Sequence, residues 1–175
     1  MYVVSDQWVA EHIIKATQCG YVTLAFGLRL RTPILHRTIM NSRVTPYEAQ
    51  QEARTAGNAL GQSWGMLNNR AALEFFDRCK AAGYLHKVLP VAHIHDACYF
   101  MVSNDMEVIT WVNKNLPECM AWQDDPLIQH DQVKLGGNLE VFYPNWGSKL
   151  KLPVAASIDT IRSLAAKHAQ KLKEG

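Results

Sequence analysis

Val88-Leu-Pro-Val-Ala-His-Ile-His-Asp-Ala-Cys-Tyr-Phe-Met-Val102 is the stretch whose reading decides the fold. Two apolar runs, Val88 to Ile94 and Ala97 to Val102, flank the polar pair His95-Asp96. Val, Ile, Tyr and Phe favour the pleated state, and a short polar break between two such runs predicts a hairpin. A carboxylate at its tip is held rigidly and pushed toward solvent or a ligand, which suits a metal ligand. It suits a plain turn as well, because Asp bonds its own backbone there.

Upstream, Thr45-Pro46-Tyr47-Glu48 predicts a helix start, with Thr45 as N-cap, Pro46 at N1 and Glu48 closing a capping box. The helical pattern runs to about Ala82, where Gly83 ends it. Gly57, Gly61 and Gly65 fall inside it at four-residue spacing. Each glycine costs a helix roughly 1 kcal/mol relative to alanine. Their presence therefore predicts a bend, or the close approach of another backbone or a ligand. Arg54, Asn58 and Gln62 also recur every four residues and share one face. Such donors bond the base edges and sugars of nucleic acid, and in the minor groove they would follow shape rather than sequence. A solvated polar face is the other reading of the same ladder.

Further out, residues 5–19 have helical spacing, capped at Ser5 or Asp6 and closed by Gly20. Residues 21–39 are β-like. Leu28-Arg29-Leu30-Arg31 alternates apolar and basic side chains, and Pro33 suits an edge or a turn. Downstream, Asn104 with Glu107 predicts a capped helix that ends at Pro117. Pro126 to Leu135 reads as a strand closed by Gly136-Gly137, and residues 139–143 as another. Residues 157–173 read as a helix capped by Ser157, with Lys167, Lys171 and Lys173 at its basic end. This order of elements predicts an α+β fold.

The length of 175 residues predicts one domain with a real core, and 48% apolar with 19% charged residues is ordinary for an ordered globular chain. A net charge of +2 permits nucleic-acid binding without demanding it. The charge is uneven: five arginines (29, 31, 37, 43, 54) face two acids (Glu48, Glu52) between Arg29 and Arg54. The four cysteines show neither zinc spacing nor a disulfide framework, so free thiols in a reducing compartment are expected. Neither a signal peptide nor a membrane span is legible, and a cytoplasmic location is expected. His93 and His95 would share a face of one strand, as a metal pair or as packing residues. Cys98 reads as a small hydrophobe rather than a nucleophile. The five tryptophans read as packing residues, and Lys149 and Lys151 as solvated surface.

Gly20-Tyr21-Val22, Gly27-x-Arg29, Pro33, Arg54-x-x-x-Asn58-x-x-x-Gln62, His95-Asp96 between strands, and Asn145-Trp146 follow one another in a distinctive order. Over residues 2 to 147 this resembles the C-terminal part of a family A DNA polymerase, of the kind that includes bacterial DNA polymerase I and many phage enzymes. The resemblance implies a palm-type antiparallel sheet, bearing the His-Asp β-hairpin and packed against a long bent helix. It makes residues 1–147 the palm and adjoining helices, and residues 148–175 an extension ending in a helix. It implies that Asp96 helps hold two Mg²⁺ ions, that His95 sits beside the primer terminus, and that Arg54, Asn58, Gln62 and Arg29 contact the DNA. The implied activity is template-directed nucleotidyl transfer from dNTP onto primed DNA, in the host cytoplasm if the chain is phage-encoded.

Four departures bear on that expectation. Ala97 stands where the family has a glutamate, and Ser63 where it has a glycine. The family's other metal-binding aspartate and its fingers helix have no counterpart in this sequence. One Asp cannot hold two divalent ions. The expectation is therefore an incomplete site, completed by a second polypeptide or by a missing N-terminal part. The rival reading is a non-catalytic DNA-binding or accessory remnant of a polymerase. A metal-dependent phosphohydrolase with a His-Asp pair fits less well, because such sites draw further ligands from helices.

Overall fold

The computed structural model describes residues 3–39, 45–122, 125 and 128–174. Arg43, Pro126 and Leu127, which enter the sequence reading, lie outside these. In chain order the elements are α1 (Val3–Cys19), β1 (Tyr21–Thr23), β2 (Arg29–Arg31), α2 (Tyr47–Gln62), α3 (Met66–Ala81), β3 (Val88–Ile94), β4 (Ala97–Val102), α4 (Met106–Met120), β5 (Leu139–Phe142), β6 (Lys149–Leu152) and α5 (Ile158–Glu174). Helices and small antiparallel sheets make a mixed α+β fold, with strands paired β1-β2, β3-β4 and β5-β6. The chain divides into two compact units, Met1–Met66 and Leu67–Gly175.

In the first unit, α1 ends at Gly20, whose φ of +79° is the left-handed geometry that glycine tolerates. The β1-β2 turn carries Gly27 at φ +76°, as the glycine there predicts. Ile13, Ala16, Val22, Leu35, Ala56 and Leu60 form the core. Burying each leucine contributes roughly 2–3 kcal/mol. Glu52 on α2 accepts the Leu35 backbone N–H at 2.6 Å and ties the turn after β2 to the helix. Gly57 has a packing reason: a Cβ there would stand 3.2 Å from Val9 Cγ1 of α1. Gly61 and Gly65 face open space.

In the second unit, Ala71, Phe75 and Cys79 of α3 meet Val108, Val112, Leu116 and Cys119 of α4, with Val88 of β3. The Phe75 ring meets Phe100 of β4 edge-on at 5.0 Å. Burial pushes the Cys79 and Cys119 thiols up to about 11, so both stay protonated at neutral pH and act as packing groups.

Several boundaries differ from the sequence reading. The long helical pattern is interrupted by a 3₁₀ turn at Ser63–Gly65, which contains Gly65 and follows Gly61 of α2 by two residues. α2 starts at Tyr47 with Pro46 in the cap position, so the Thr45 capping box is replaced by a later start. Asp105 rather than Asn104 caps α4, accepting the Glu107 N–H at 3.0 Å. α4 runs through Pro117 instead of stopping there. Proline removes the N–H that would bond the Asn113 carbonyl. That carbonyl instead accepts the Ala155 N–H at 3.3 Å. Among the described residues between 125 and 135 there is no strand. The Gln132 and Val133 N–H groups bond the His130 ring nitrogen, which takes them from any ladder. Lys149 and Lys151 are exposed as read, but they belong to an unforeseen strand, β6, which pairs with β5 from Leu139↔Leu152 to Phe142↔Lys149. Ser157 caps α5 as expected, accepting the Thr160 N–H. No helix among the described residues is long and apolar enough to cross a membrane.

Candidate functional site

The β3-β4 hairpin pairs Ile94 with Ala97, which leaves His95 and Asp96 as the entire connecting loop. Both are exposed. A two-residue loop requires positive φ, and His95 supplies it at +53°. This conformation is uncommon for a residue with a Cβ, though histidine adopts it more readily than most. The turn therefore presents the Asp96 carboxylate on a short, rigid support.

Behind the tip lies a polar cluster that the sequence reading missed. The register slips between Pro90 and Ala92, leaving Val91 as an extra residue in β3. This bulge sets His93 directly opposite Cys98. Cross-strand partners project to the same side of a sheet, here the side of Phe100, toward α3. There Asn68 of α3, only 5% exposed, meets them. The Asn68 amide nitrogen lies 2.7 Å from His93 Nε2 and 3.5 Å from the His95 carbonyl. The Cys98 thiol donates to Asn68 Oδ1 at 3.4 Å. Burial raises the Cys98 thiol above its ordinary range, so it acts as a donor rather than a nucleophile. His93 and His95 do not form a pair: one faces α3 and the other sits in the loop. One signal of the cluster was legible, since residues 68, 71, 75 and 79 form one helical stripe and Asn68 is its polar member.

Beside the cluster runs an open groove of about 600 Å³ between α3 and the hairpin, lined by Leu73, Phe76, Val91, His93, Cys98 and Phe100 among others. Farther along α3, Arg70, Glu74 and Arg78 form i,i+4 ion pairs, and Glu118 of α4 joins Arg78 at 2.9 Å. Burial works to raise the Glu74 carboxyl, but the Arg78 hydrogen bond and the charges of Arg70 and Arg78 outweigh it and hold the group below its ordinary value.

The other sequence candidates lie in the first unit. Arg54, Asn58 and Gln62 are all exposed along α2, opposite its buried Ala49, Ala56 and Leu60. Arg29 of β2 is exposed, with its guanidinium 4.5 Å over the Tyr21 ring. The structure thus brings the α2 ladder onto one face and joins His95 to Asp96 at one tip, in separate compact units. Among the described residues no group of three His, Cys, Asp or Glu side chains is placed to hold a metal ion. Asp96 fits Mg²⁺ in chemical type, as a hard oxygen donor, but supplies only one carboxylate of the several oxygens such an ion takes.

No protein-family model matches the chain, and neither a curated protein nor a solved structure is found similar to it.

Proposed function

We propose that this chain is the palm-bearing C-terminal part of a family A DNA polymerase, acting on primed DNA with residues outside this sequence. The observation that carries the reading is the strand, two-residue turn and strand that hold His95 and Asp96 exposed at one tip. It is supported by the exposed Arg54-Asn58-Gln62 ladder on α2 and by the order of motifs in the sequence. In this reading the β3-β4 hairpin belongs to a palm-type sheet completed elsewhere.

Asp96 contributes one carboxylate toward the metal ions, and the other aspartate and the fingers helix come from a partner polypeptide or an N-terminal part. Bound Mg²⁺ supplies neutralisation of the charge that builds on the attacking 3′-oxygen and the leaving pyrophosphate. The chain's own work is to hold the acid and the duplex. Arg54, Asn58 and Gln62 donate to the acceptors of the minor-groove edge and sugars. His95, fixed in the turn, lies against the primer terminus.

Ala97 favours a second reading, a non-catalytic DNA-binding remnant, because a methyl group follows Asp96 where the family carries an acid. One experiment separates the two. The chain is co-purified with its partner and assayed for nucleotide addition on a primed template. Asp96→Asn is expected to abolish addition while leaving DNA affinity within about twofold. Arg54→Ala and Gln62→Ala are each expected to weaken primer-template binding by about 5- to 150-fold, the loss of a good base or sugar contact at ~1–3 kcal/mol. Full activity of Asp96→Asn would remove the catalytic role. DNA affinity unchanged in both ladder variants would remove the ladder.

A further inference from the structure

We infer that Asn68 is the positioning residue of the hairpin tip: a buried amide on α3 that fixes the rotation of the His95-Asp96 turn. On the polymerase reading proposed above, on which its functional half rests, Asn68 thereby sets the direction in which Asp96 presents its carboxylate.

Asn68 is 5% exposed, and a buried amide left unpaired is strongly unfavourable. Its polar atoms are instead engaged within the hairpin. A primary amide has two N–H donors and one acceptor oxygen. The nitrogen reaches His93 Nε2 at 2.7 Å and the His95 carbonyl at 3.5 Å, and the oxygen accepts from the Cys98 thiol at 3.4 Å. Asn68 thus holds both strands of the hairpin, the incoming one at His93 and His95 and the returning one at Cys98.

Two further features converge on this clamp. His95 sits at φ +53°, a conformation that persists only where its surroundings over-determine it. Its carbonyl is the one that Asn68 approaches. The bulge at Val91 turns His93 toward α3; a regular strand would carry Ala92 and Ile94 on the side of Val88 and Pro90. Asp96 itself is not held by Asn68. The clamp acts on it through the backbone of the turn. With the amide nitrogen as donor, His93 Nε2 carries the lone pair and Nδ1 the proton, which gives the clamp a spectroscopic signature.

The test uses the full chain, labelled with ¹⁵N. In the wild type, scalar coupling across the hydrogen bond should link Asn68 Nδ2 to His93 Nε2, and the His93 ring should report the Nδ1–H tautomer. Asn68→Asp keeps the acceptor for Cys98, takes the donor from the His95 carbonyl and lets His93 pair only by moving its ring proton to Nε2; Asn68→Leu removes all three contacts. Amide exchange over residues 94–98 should accelerate by about tenfold or more in both, while Phe75 and Val112 in the core change by less than about twofold. Missing coupling together with unchanged exchange at the tip overturns the clamp, and if Asn68→Leu does not fold, Asn68→Asp and the wild-type coupling still decide. In the assembled polymerase, Asn68→Asp should lower kcat by about tenfold with KM for the nucleotide unchanged. An unchanged kcat beside a loosened tip overturns the claim that the clamp aims Asp96. Should Asp96→Asn prove fully active, the polymerase reading falls, and coupling and exchange still decide the clamp.

Discussion

Glu74 is one residue through which acid acts on this protein. It sits between Arg70 and Arg78 on α3, and Arg78 also reaches Glu118. Its carboxyl titrates below its ordinary value, so the ionised form is favoured by folding. The stabilisation is fully present above the unfolded value near 4.5 and is lost as pH falls through the lower folded value. Glu74→Gln should therefore be less stable than wild type at pH 7, with the difference shrinking below pH ~4.5. Urea unfolding at a series of pH values reads this out, and a pH-independent difference would remove Glu74 from the acid response. The same scale separates the cysteines. Cys79 and Cys119 are buried, Cys119 beside Glu74, and the Cys98 thiol donates a hydrogen bond to the Asn68 amide oxygen.

The glycines of α2 show that equal spacing in sequence hides unequal roles in an element. Gly61 faces open space, so Gly61→Ala should stabilise by roughly 0.5–1 kcal/mol through helix propensity. Gly57→Ala gains the same propensity but presses its methyl on Val9, and should unfold at a lower temperature than Gly61→Ala. Thermal unfolding of the two variants checks the order; the reverse order would contradict the α1-α2 contact. Helices α1, α4 and α5 were legible, and α2 and α3 as one long pattern, because their apolar faces repeat at the helical period, and the hairpin because a polar pair divides two β-rich runs. What was not legible depended on partners distant in sequence or on side chains competing for backbone. Pro117 is tolerated because Ala155 serves the carbonyl it frees. Residues 132 and 133 were lost to the His130 ring. β6 alternates Lys and Leu in only four residues, too short to stand out from a basic surface. At the candidate site, His95 and Asp96 were readable, but Asn68 was not, since its role appears only once the bulge turns His93 toward it.

At the scale of the molecule, each compact unit carries its own buried cluster. The second unit depends on a tie between α4 and the segment leading to α5. Asn113 is fully buried; its amide donates to the Pro153 carbonyl at 2.9 Å and accepts the Ala156 N–H at 2.7 Å. Asn113→Ala strands both partners and should lower stability by about 2–4 kcal/mol, measured by urea unfolding followed at Trp111. A loss under ~0.5 kcal/mol would show the tie to be idle.

That tie also sets a timetable for synthesis. Ala156 is made 43 residues after Asn113, so at ~5–20 residues per second the amide waits roughly 2–9 s for its partner. During that interval α4 is completed while the Asn113 side chain still lacks its Pro153 and Ala156 partners. The buried position of Asn113 is thus satisfied only once the segment leading to α5 has been made.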